Sequence, residues 1–464
     1  MSLRSAITRI RSIPELQKKY NIFITLDRDA EQKLQDKEQK DQLLSYLVAG
    51  IKDNIVTKDM RTTCGSEILN DYVSPYDATC IKMLRDSGSI IIGKTNMDEF
   101  GMGSGGLHSY FKPVINPLFD DQKKVAGGSS SGSAAAVAAG AVDFALGTDT
   151  GGSVRLPAAY TSILGFKPSY GRISRHGVIA YAQSLDCVGI LAKEYYILKK
   201  VFSVLDKHDD KDPTSLSKEL REKASQRTKK NKTFRIGIPQ EFIQNSIPSE
   251  MRTTYLNFVE KLMSKGHEVF PVTIPSAKDS LPIYYTLTPA EAASNLSRYD
   301  GIRYGERDEK RDIQDGTLFA PTRSKFGTEV QNRIILGNYN LCSAAFKDHY
   351  VKAQKLRVKL INDFDAVFRL PNLLFGSKGN ENGVDFILSL TATNYPPTID
   401  SFHKADLVSP TNEYLNDVFT MPMSLAGLPT LSLPPLKNVP IGVQLTGQYA
   451  DDISVIDFCS SLED

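Results

Sequence analysis

Short apolar runs alternate with amphipathic segments along most of the chain. Runs with the length of buried strands occupy residues 47–51, 89–92, 144–147 and 234–239. Segments with the apolar spacing of helices occupy residues 75–87, 133–142 and 326–363. A further helix and strand are indicated at 421–435 and 440–447. Because strands and helices alternate, the pattern predicts an α/β fold.

Two glycine-rich loops interrupt this pattern. Residues 101–132 are rich in glycine, serine and proline, and a loop of this length in a compact domain is usually functional or disordered. Thr148–Ser153 forms a second, shorter glycine loop after the strand predicted at 144–147. The charged segment 205–232 is instead typical of a surface loop and helix. The two glycine loops are therefore the first candidates for a functional site.

Length and charge exclude several classes of protein. The chain has 464 residues, enough for one large domain or two to three small ones. It carries 56 basic and 54 acidic residues, so the excess of positive charge typical of nucleic-acid binding is missing. Its five cysteines include no CxxC pair, which argues against a zinc knuckle or a disulfide framework and favours a reducing compartment. No apolar run approaches the ~20 residues that a membrane span needs.

The start of the chain is basic. Residues 1–14 contain Arg4, Arg9 and Arg11 and no acidic residue, as mitochondrial targeting segments do. An ordinary basic first helix is the alternative, and the segment by itself leaves both interpretations open. We expect residues 1–40 to form a short N-terminal segment that includes this possible targeting sequence.

Two phosphate-binding motifs match the sequence but not its expected structure. Gly88–Thr95 satisfies the pattern GxxxxGK[ST], yet three consecutive isoleucines fill the middle of the match and favour a strand. Gly101–Gly106 satisfies GxGxxG, yet Pro113 and Pro117 follow where a dinucleotide-binding helix would have to begin. We therefore predict no nucleotide site at either position.

The serines of the glycine loops suit acyl transfer better. None of the six histidines lies in a nucleophile-elbow or zinc-binding motif. Gly151 and Gly152 can present backbone N–H groups to a developing oxyanion without obstruction by a Cβ atom, and Ser153 would stand at the end of that row. The serines of 127–133 precede the alanine-rich helix, where they could equally be redundant helix caps.

Together these segments resemble the amidase signature enzymes. The family pattern GGSSxGSAAAVAAG…GTDTGGSxRxPA is met from Gly127 to Ala158, and Lys52–Asn54 matches its upstream KDN segment. The resemblance implies a single amidase domain over residues 41–464. It also implies a central mixed β-sheet covered by helices on both faces.

The resemblance assigns catalytic roles. It implies that Ser153 is the nucleophile, that Ser129 is a bridging serine after a cis peptide bond, and that Lys52 is the base. Ser129 and Ser153 are 24 residues apart, as in the family. The oxyanion hole would be formed by the backbone N–H groups of Thr150, Gly151, Gly152 and Ser153. Because a lysine is a base only when neutral, its pKa must fall by desolvation, and the apolar run 47–51 could carry Lys52 into the interior.

Downstream segments are similar to one branch of this family, the A subunits of glutamyl-tRNA(Gln) amidotransferases. They lie at 292–305, 326–337, 414–417 and 425–429. In that branch an Arg, an Asp and a Tyr hold glutamine, and the matching positions are Arg333, Asp417 and Tyr284. Charges of both signs suit an amino acid, since its carboxylate needs a cation and its ammonium an anion. Taken alone, Arg333 and Asp417 would each be read as an ordinary surface residue. Tyr285, which adjoins Tyr284, is an alternative for the substrate-binding tyrosine.

This resemblance implies a division of labour between subunits. The chain would release ammonia from glutamine, with no cofactor or metal of its own. A partner B subunit would use ATP and Mg, contact most of the tRNA and convert Glu-tRNA(Gln) to Gln-tRNA(Gln). The N-terminal part is basic and shorter than in typical bacterial A subunits, which predicts a mitochondrial matrix protein of fungal type; the alternative location is the cytoplasm. A small third subunit is expected to fill the place of the missing segment.

Two other functions remain alternatives. A stand-alone amidase could act on a small or fatty amide, although an apolar amide would leave the buried Arg333 and Asp417 charges unpaired. A non-catalytic scaffold subunit would not need the intact set of Lys52, Ser129 and Ser153.

The chain departs from the family pattern near the predicted site. Leu107 and His108 stand where the family commonly has Glu and Asn, and Leu156 stands where it often has Gln. Ser131 replaces a usual glycine. None of these changes removes a catalytic group, but the pocket wall is expected to differ.

Overall fold

A computed structural model describes residues 2–35, 42–119, 121–227, 233–307 and 320–463. The strands within these ranges are β1 (Phe23–Leu26), β2 (Val48–Lys52), β3 (Ile90–Thr95), β4 (Phe144–Asp149), β5 (Leu164–Lys167), β6 (Cys187–Ala192), β7 (Arg235–Pro239), β8 (Glu268–Val272), β9 (Phe386–Leu390), β10 (Thr430–Leu433) and β11 (Val443–Thr446). They form one sheet in the order β1-β3-β2-β4-β6-β5-β10-β11-β9-β7-β8. Parallel and antiparallel neighbours both occur, so the sheet is mixed.

Helices connect most of these strands. The α-helices of the described residues are α1 (Leu3–Tyr20), α2 (Ala30–Gln35), α3 (Thr79–Asp86), α4 (Ser131–Ala138), α5 (Arg155–Tyr160), α6 (Tyr195–Leu205), α7 (Lys218–Ser225), α8 (Ser249–Ser264), α9 (Ser280–Leu296), α10 (Ala320–Arg323), α11 (Thr328–Leu341), α12 (Lys352–Val367), α13 (Ile399–Val408), α14 (Met421–Leu425) and α15 (Asp452–Ser460). Short 3-10 turns lie at Glu99–Gly101, Gln240–Phe242, Pro275–Asp279 and Pro410–Asp417. A π-helical turn, Lys347–Val351, precedes α12.

The sheet has an apolar layer on each face. In β3, Ile90 and Ile92 belong to one buried cluster, whereas Ile91 belongs to the other. In β4, Phe144 and Ala145 likewise point to opposite clusters, as the two-residue period of a strand requires. Helices α1, α2 and α4 cover one face, and most of the remaining helices cover the other. The predicted α/β class, with a mixed sheet covered on both faces, is confirmed.

The apolar runs of the sequence form strands. Those at 47–51, 89–92, 144–147 and 234–239 correspond to β2, β3, β4 and β7. The pattern does not single out β1, β5, β6, β8 or β9, although β6 and β9 are fully buried and as long as the strands that were predicted. The GxxxxGK[ST] match lies largely in β3, where the fully buried Lys94 Nζ is 3.3 Å from Asp53 Oδ1. Because that lysine is paired inside the protein, a phosphate site there is excluded.

The first 35 residues pack against the same sheet. Strand β1 pairs with β3, and Ala6, Ile13 and Tyr20 of α1 are buried in the cluster that includes α4. Arg9 donates to the carbonyls of residues 140 and 142 and forms an ion pair of 3.0 Å with Asp143. The domain boundary at residue 41 and the targeting role of the first residues remain predictions, and residues 36–41 lie outside the described ranges.

Parallel strand pairing places the two glycine loops near Lys52. Strands β2 and β4 are parallel neighbours, with Ile51 opposite Leu146, so their carboxyl ends meet at one edge of the sheet. Lys52 is the last residue of β2, and the loop 150–153 begins where β4 ends.

None of the helices in the described ranges combines the length and the apolar composition that a membrane span requires.

The Arg9 contacts predict that Arg9 contributes more to the stability of the fold than Arg11, which also lies on α1. Arg9→Ala removes the ion pair to Asp143 and two hydrogen bonds to carbonyls, so it should lower the free energy of unfolding by about 2 kcal/mol. Arg11→Ala removes a solvent-exposed pair with Glu31 and should leave stability unchanged within error. Urea unfolding followed by circular dichroism measures the free energy of unfolding of both variants. Equal losses of stability would contradict the role of the Arg9 contacts in holding α1 against the sheet.

Candidate active site

Lys52 and Ser129 form the centre of the site. Lys52 is fully buried, and its Nζ donates to Ser129 Oγ at 2.8 Å and to the Thr148 carbonyl at 3.2 Å. The peptide bond between Gly128 and Ser129 is cis. The structure therefore brings together two of the predicted catalytic residues, which are 77 positions apart in sequence.

Burial favours the neutral form of the Lys52 amine, which is the form that a base requires. Desolvation lowers the pKa of its amine to about 7, although the carboxylates of Asp98, Asp149 and Asp186 act in the opposite direction. A large fraction of the amine is consequently neutral near neutral pH. The run 47–51 indicates this burial in the sequence, because it continues directly into Lys52.

The loop after β4 presents Ser153 beside unpaired N–H groups. The backbone N–H groups of Thr150, Gly151, Gly152 and Ser153 donate to no acceptor among the described residues. The Ser153 hydroxyl likewise makes no hydrogen bond there, and the residue is 8% exposed. The Ser153 carbonyl accepts from Ser130 N–H at 3.1 Å, which joins this loop to the Ser129 loop. A row of free donors beside a serine is the arrangement of an oxyanion hole.

A buried ion pair fixes the shape of this loop. Arg155 Nη2 donates to Asp149 Oδ1 at 2.9 Å, and neither side chain is exposed. Asp149 Oδ2 also accepts from the Val154 N–H at 3.2 Å. Although burial alone would raise it, Arg155 holds the pKa of Asp149 below its usual value. Both ends of the 150–153 loop are thus held by one carboxylate.

The glycines of the loop permit close approach of the pocket wall. A Cβ atom on Gly151 would lie 2.7 Å from Cζ of Tyr284. A Cβ atom on Gly152 would lie 2.8 Å from Asp417 Oδ1 and would also overlap Thr420. Two of the three predicted substrate-binding residues therefore lie directly against the predicted oxyanion loop.

Arg333 is held in a cage of polar and aromatic groups. It lies on α11 and is 3% exposed, with Nε donating to Glu329 Oε1 at 2.6 Å and Nη1 to the Tyr181 hydroxyl at 2.8 Å. The rings of Tyr181, Tyr285 and Tyr414 lie 5.3–5.8 Å from its guanidinium carbon. Its Nη2 has no hydrogen-bond partner among the described residues. This nitrogen is thus available to an anionic ligand.

Asp417 lies beside Gly152 and close enough to Arg333 to feel its charge, and its side chain has no hydrogen-bond partner among the described residues. Its Oδ1 is buried and accepts no hydrogen bond from any described residue. Burial, reinforced by Asp149 and Glu413, raises the pKa of the carboxyl to about 8. The buried Tyr160 hydroxyl is also unpaired in the described part of the chain, and burial, with a smaller effect from Asp417, raises its pKa. An unpaired buried carboxyl is costly, so a cationic ligand group at this point would be stabilising.

Three residues that depart from the family pattern, Leu107, His108 and Leu156, make defined contacts near the site. Leu107 and Leu156 pack in one small apolar cluster with Val125, Tyr160, Ala392 and Phe402. His108 instead forms a 2.9 Å ion pair with Glu413. Although burial alone would lower it, Glu413 raises the pKa of His108 to about 10, so the pair is charged at neutral pH. The two leucines thus belong to one buried apolar cluster.

Some residues of the site were missed by the sequence analysis. Asp186 accepts from the Thr150 hydroxyl at 2.7 Å and from the N–H groups of Tyr181 and Ala182. No motif marked Asp186 or Tyr181, since both act through contacts with distant segments. Glu329 could have been found, because it precedes Arg333 by four residues on a predicted helix. No group of three or more potential metal ligands occurs within the described ranges.

Comparison with known proteins identifies relatives over the whole chain. The family model for Amidase matches residues 2–456. The mitochondrial A subunit of the glutamyl-tRNA(Gln) amidotransferase of Eremothecium gossypii is 57% identical over 455 residues, covering 98% of each chain. The protein of the same name from Yarrowia lipolytica is 48% identical, covering 89% of this chain and 90% of its own.

Solved structures show the same fold. The crystal structure of the glutamyl-tRNA(Gln) amidotransferase A subunit from Thermotoga maritima has a TM-score of 0.76 and 31% identity, covering 98% of this chain and 92% of its own. The allophanate hydrolase of Kluyveromyces lactis has a TM-score of 0.79 and 25% identity, covering 100% of this chain and 70% of its own.

The lowered pKa of Lys52 predicts how the reactivity of Ser153 depends on pH. A protonated Lys52 cannot accept a proton, so labelling of Ser153 by a fluorophosphonate should slow about tenfold for each pH unit below 7. Above pH 7 the rate should level off. Mass spectrometry of the labelled peptide measures the rate, and Ser153→Ala is the control that should remove the label. A Lys52→Met variant that kept the wild-type profile would rule out Lys52 as the base.

Proposed function

The chain belongs to the amidase family, and on that premise we propose that Lys52, Ser129 and Ser153 hydrolyse the side-chain amide of glutamine. The chain is the glutamine-hydrolysing subunit of a glutamyl-tRNA(Gln) amidotransferase in mitochondria; its fungal relatives are named as mitochondrial A subunits of that enzyme. The catalytic assignment is supported by the 2.8 Å bond from Lys52 to Ser129 beside the row of free N–H groups.

Asp417, which lies against the oxyanion loop, and the nearby Arg333 favour an amino acid as substrate. We assign the α-carboxylate of glutamine to Arg333, whose Nη2 has no partner among the described residues, and the α-ammonium to Asp417, whose Oδ1 has none. Tyr284 would close the pocket against Gly151. A fatty or other uncharged amide would leave Arg333 Nη2 and Asp417 Oδ1 without hydrogen-bond partners, which disfavours a stand-alone amidase of that kind.

Ser153 would attack the carboxamide carbon of glutamine. In this step Ser153 Oγ forms a bond to that carbon and passes its proton to Ser129, which passes its own proton to neutral Lys52. The N–H groups of residues 150–153 would stabilise the resulting oxyanion. Lys52 then returns a proton through Ser129 to the departing nitrogen, the C–N bond breaks, and ammonia leaves. Water hydrolyses the remaining glutamyl ester to glutamate by the same proton path.

Binding of glutamine would change the protonation of Asp417. With a pKa of about 8 in the empty pocket, the carboxyl is mostly protonated at pH 7. An approaching ammonium group favours its ionised form, so the proton would leave as the substrate binds. The empty pocket therefore avoids a fully desolvated negative charge.

The ammonia would be used by other subunits of the complex. We assign amide formation on Glu-tRNA(Gln) to a B subunit that uses ATP and Mg, and we also expect a small third subunit. A net charge of +2 on this chain is consistent with most tRNA contacts lying on the B subunit.

The assignment of Ser153 as the nucleophile predicts that its loss abolishes the glutamine-dependent activity and leaves the ammonium-dependent activity intact. In the complex purified with its B subunit, Ser153→Ala should reduce glutamine-dependent formation of Gln-tRNA(Gln) by at least ~10³-fold. Formation from added ammonium chloride should remain, because it bypasses the glutaminase step. Thin-layer analysis of the aminoacyl-adenosine measures both. A variant that still used glutamine would show that Ser153 is not the nucleophile.

The pocket charges predict losses of glutamine affinity. Asp417→Asn and Arg333→Gln each remove a charge-assisted bond to the substrate, so each should raise KM for glutamine by about 10–100-fold. Activity with ammonium should be unchanged. Asp210→Asn alters an acid whose side chain is 89% exposed, and it serves as the control. An unchanged KM for both pocket variants would contradict the assigned orientation of glutamine.

A further inference from the structure

A short segment after β3 touches the catalytic serine. The Asp98 N–H donates to the Ser129 carbonyl at 3.3 Å. A Cβ atom on Gly101 would lie 3.7 Å from Ser129 Oγ. The residues between them, Glu99 and Phe100, are therefore fixed relative to the centre of the site.

Glu99 extends from this segment to the start of α11. Its Oε2 accepts from the Gly327 N–H at 2.6 Å, and its Oε1 accepts from the Ser66 hydroxyl at 2.5 Å. Gly327 is the N-cap of α11 and has no side chain with which to cap the helix itself. Glu99 is 3% exposed, and a carboxylate at a helix N-terminus is favourable.

Phe100 makes a second contact with the same region. Its ring packs edge-on against Phe326 at 5.6 Å between centroids, and Val330 of α11 lies in the same buried cluster. The Phe100 backbone is left-handed, with φ of 50°, and its N–H donates to the Cys64 carbonyl at 2.8 Å. The connection from Ser129 to α11 thus has a polar and an apolar part.

Helix α11 carries the residue assigned to the substrate carboxylate. Arg333 lies less than two turns after Gly327, and its guanidinium is paired with Glu329 on the same helix. A movement of the helix start would therefore displace the guanidinium relative to Ser153.

We propose that Glu99 is a positioning residue that sets the distance between the catalytic serines and Arg333. This inference rests on the proposed glutaminase function. Glu99 touches neither the substrate nor the reacting atoms, so its loss should weaken glutamine binding and leave the chemical step largely intact.

Two substitutions disturb this contact from opposite sides. Glu99→Ala removes the carboxylate. Gly327→Ala is compatible with the backbone, since φ is −60° and ψ is 157°, but its new Cβ would lie 2.5 Å from Glu99 Oε2. Each should raise KM for glutamine about tenfold and change kcat less than twofold.

The double variant distinguishes a direct contact from two separate defects. Once Glu99 is replaced by alanine, the Cβ introduced by Gly327→Ala meets no carboxylate, so the double variant should resemble Glu99→Ala alone. Glu99→Gln keeps a carbonyl oxygen for the Gly327 N–H and should restore most of the affinity. Multiplied effects in the double variant, or an unchanged KM in both single variants, would overturn the proposal.

Glu67 provides a matched control. It lines the same cavity of about 240 Å³ as Glu99, but its contact is a 3.6 Å ion pair with Lys325 and not a bond to α11. Glu67→Ala should leave KM unchanged. Burial raises the pKa of Glu99 to about 7, so kinetics at pH 8 keep it mostly ionised.

Hydrogen exchange of the α11 amides measures, in the absence of substrate, whether the contact between Glu99 and Gly327 stabilises the start of this helix. In Glu99→Ala, peptides covering residues 326–337 should exchange several-fold faster than in the wild type or in Glu67→Ala. Unchanged exchange would overturn the positioning role. A wild-type complex that fails to hydrolyse glutamine would instead disprove the proposed function, whatever the exchange result.

Discussion

Burial of the Lys52 amine is the constraint on which the rest of the site depends. An ammonium group at the end of a central strand is strongly disfavoured, and this desolvation brings the pKa of the amine close to 7. The same burial requires hydrogen-bond partners for the amine, and Ser129 and the Thr148 carbonyl supply two. The proposed base and its hydrogen-bonded serine are thus consequences of one packing arrangement, without any histidine.

The carboxylates around Lys52 limit how far its pKa falls. Asp149 is neutralised by Arg155, and it also holds the loop that presents the free N–H groups. Asp186 is bound to Thr150 at the start of that loop. The residues that shape the oxyanion loop therefore also set the charge that Lys52 experiences.

The proposed substrate site combines a rigid cation with an unsatisfied acid. Arg333 is fixed by Glu329 and three tyrosines, so little side-chain entropy remains to be lost on binding. Asp417 is left without a partner among the described residues, and the empty pocket tolerates it because the carboxyl is largely protonated. Leu107 and Leu156, two departures from the family pattern, lie in one buried apolar cluster.

The sequence by itself determined the fold class, the strands β2, β3, β4 and β7, and the loops that contain Ser129 and Ser153, because local periodicity and glycine spacing encode them. Residues such as Asp186 and Tyr181 could not be found this way, since their partners lie on segments with no local signal. Only the tertiary structure decided the pKa of Lys52, the cage around Arg333 and the unpaired state of Asp417. These properties depend on desolvation and on contacts between residues far apart in the chain, which exist only when the sheet is assembled.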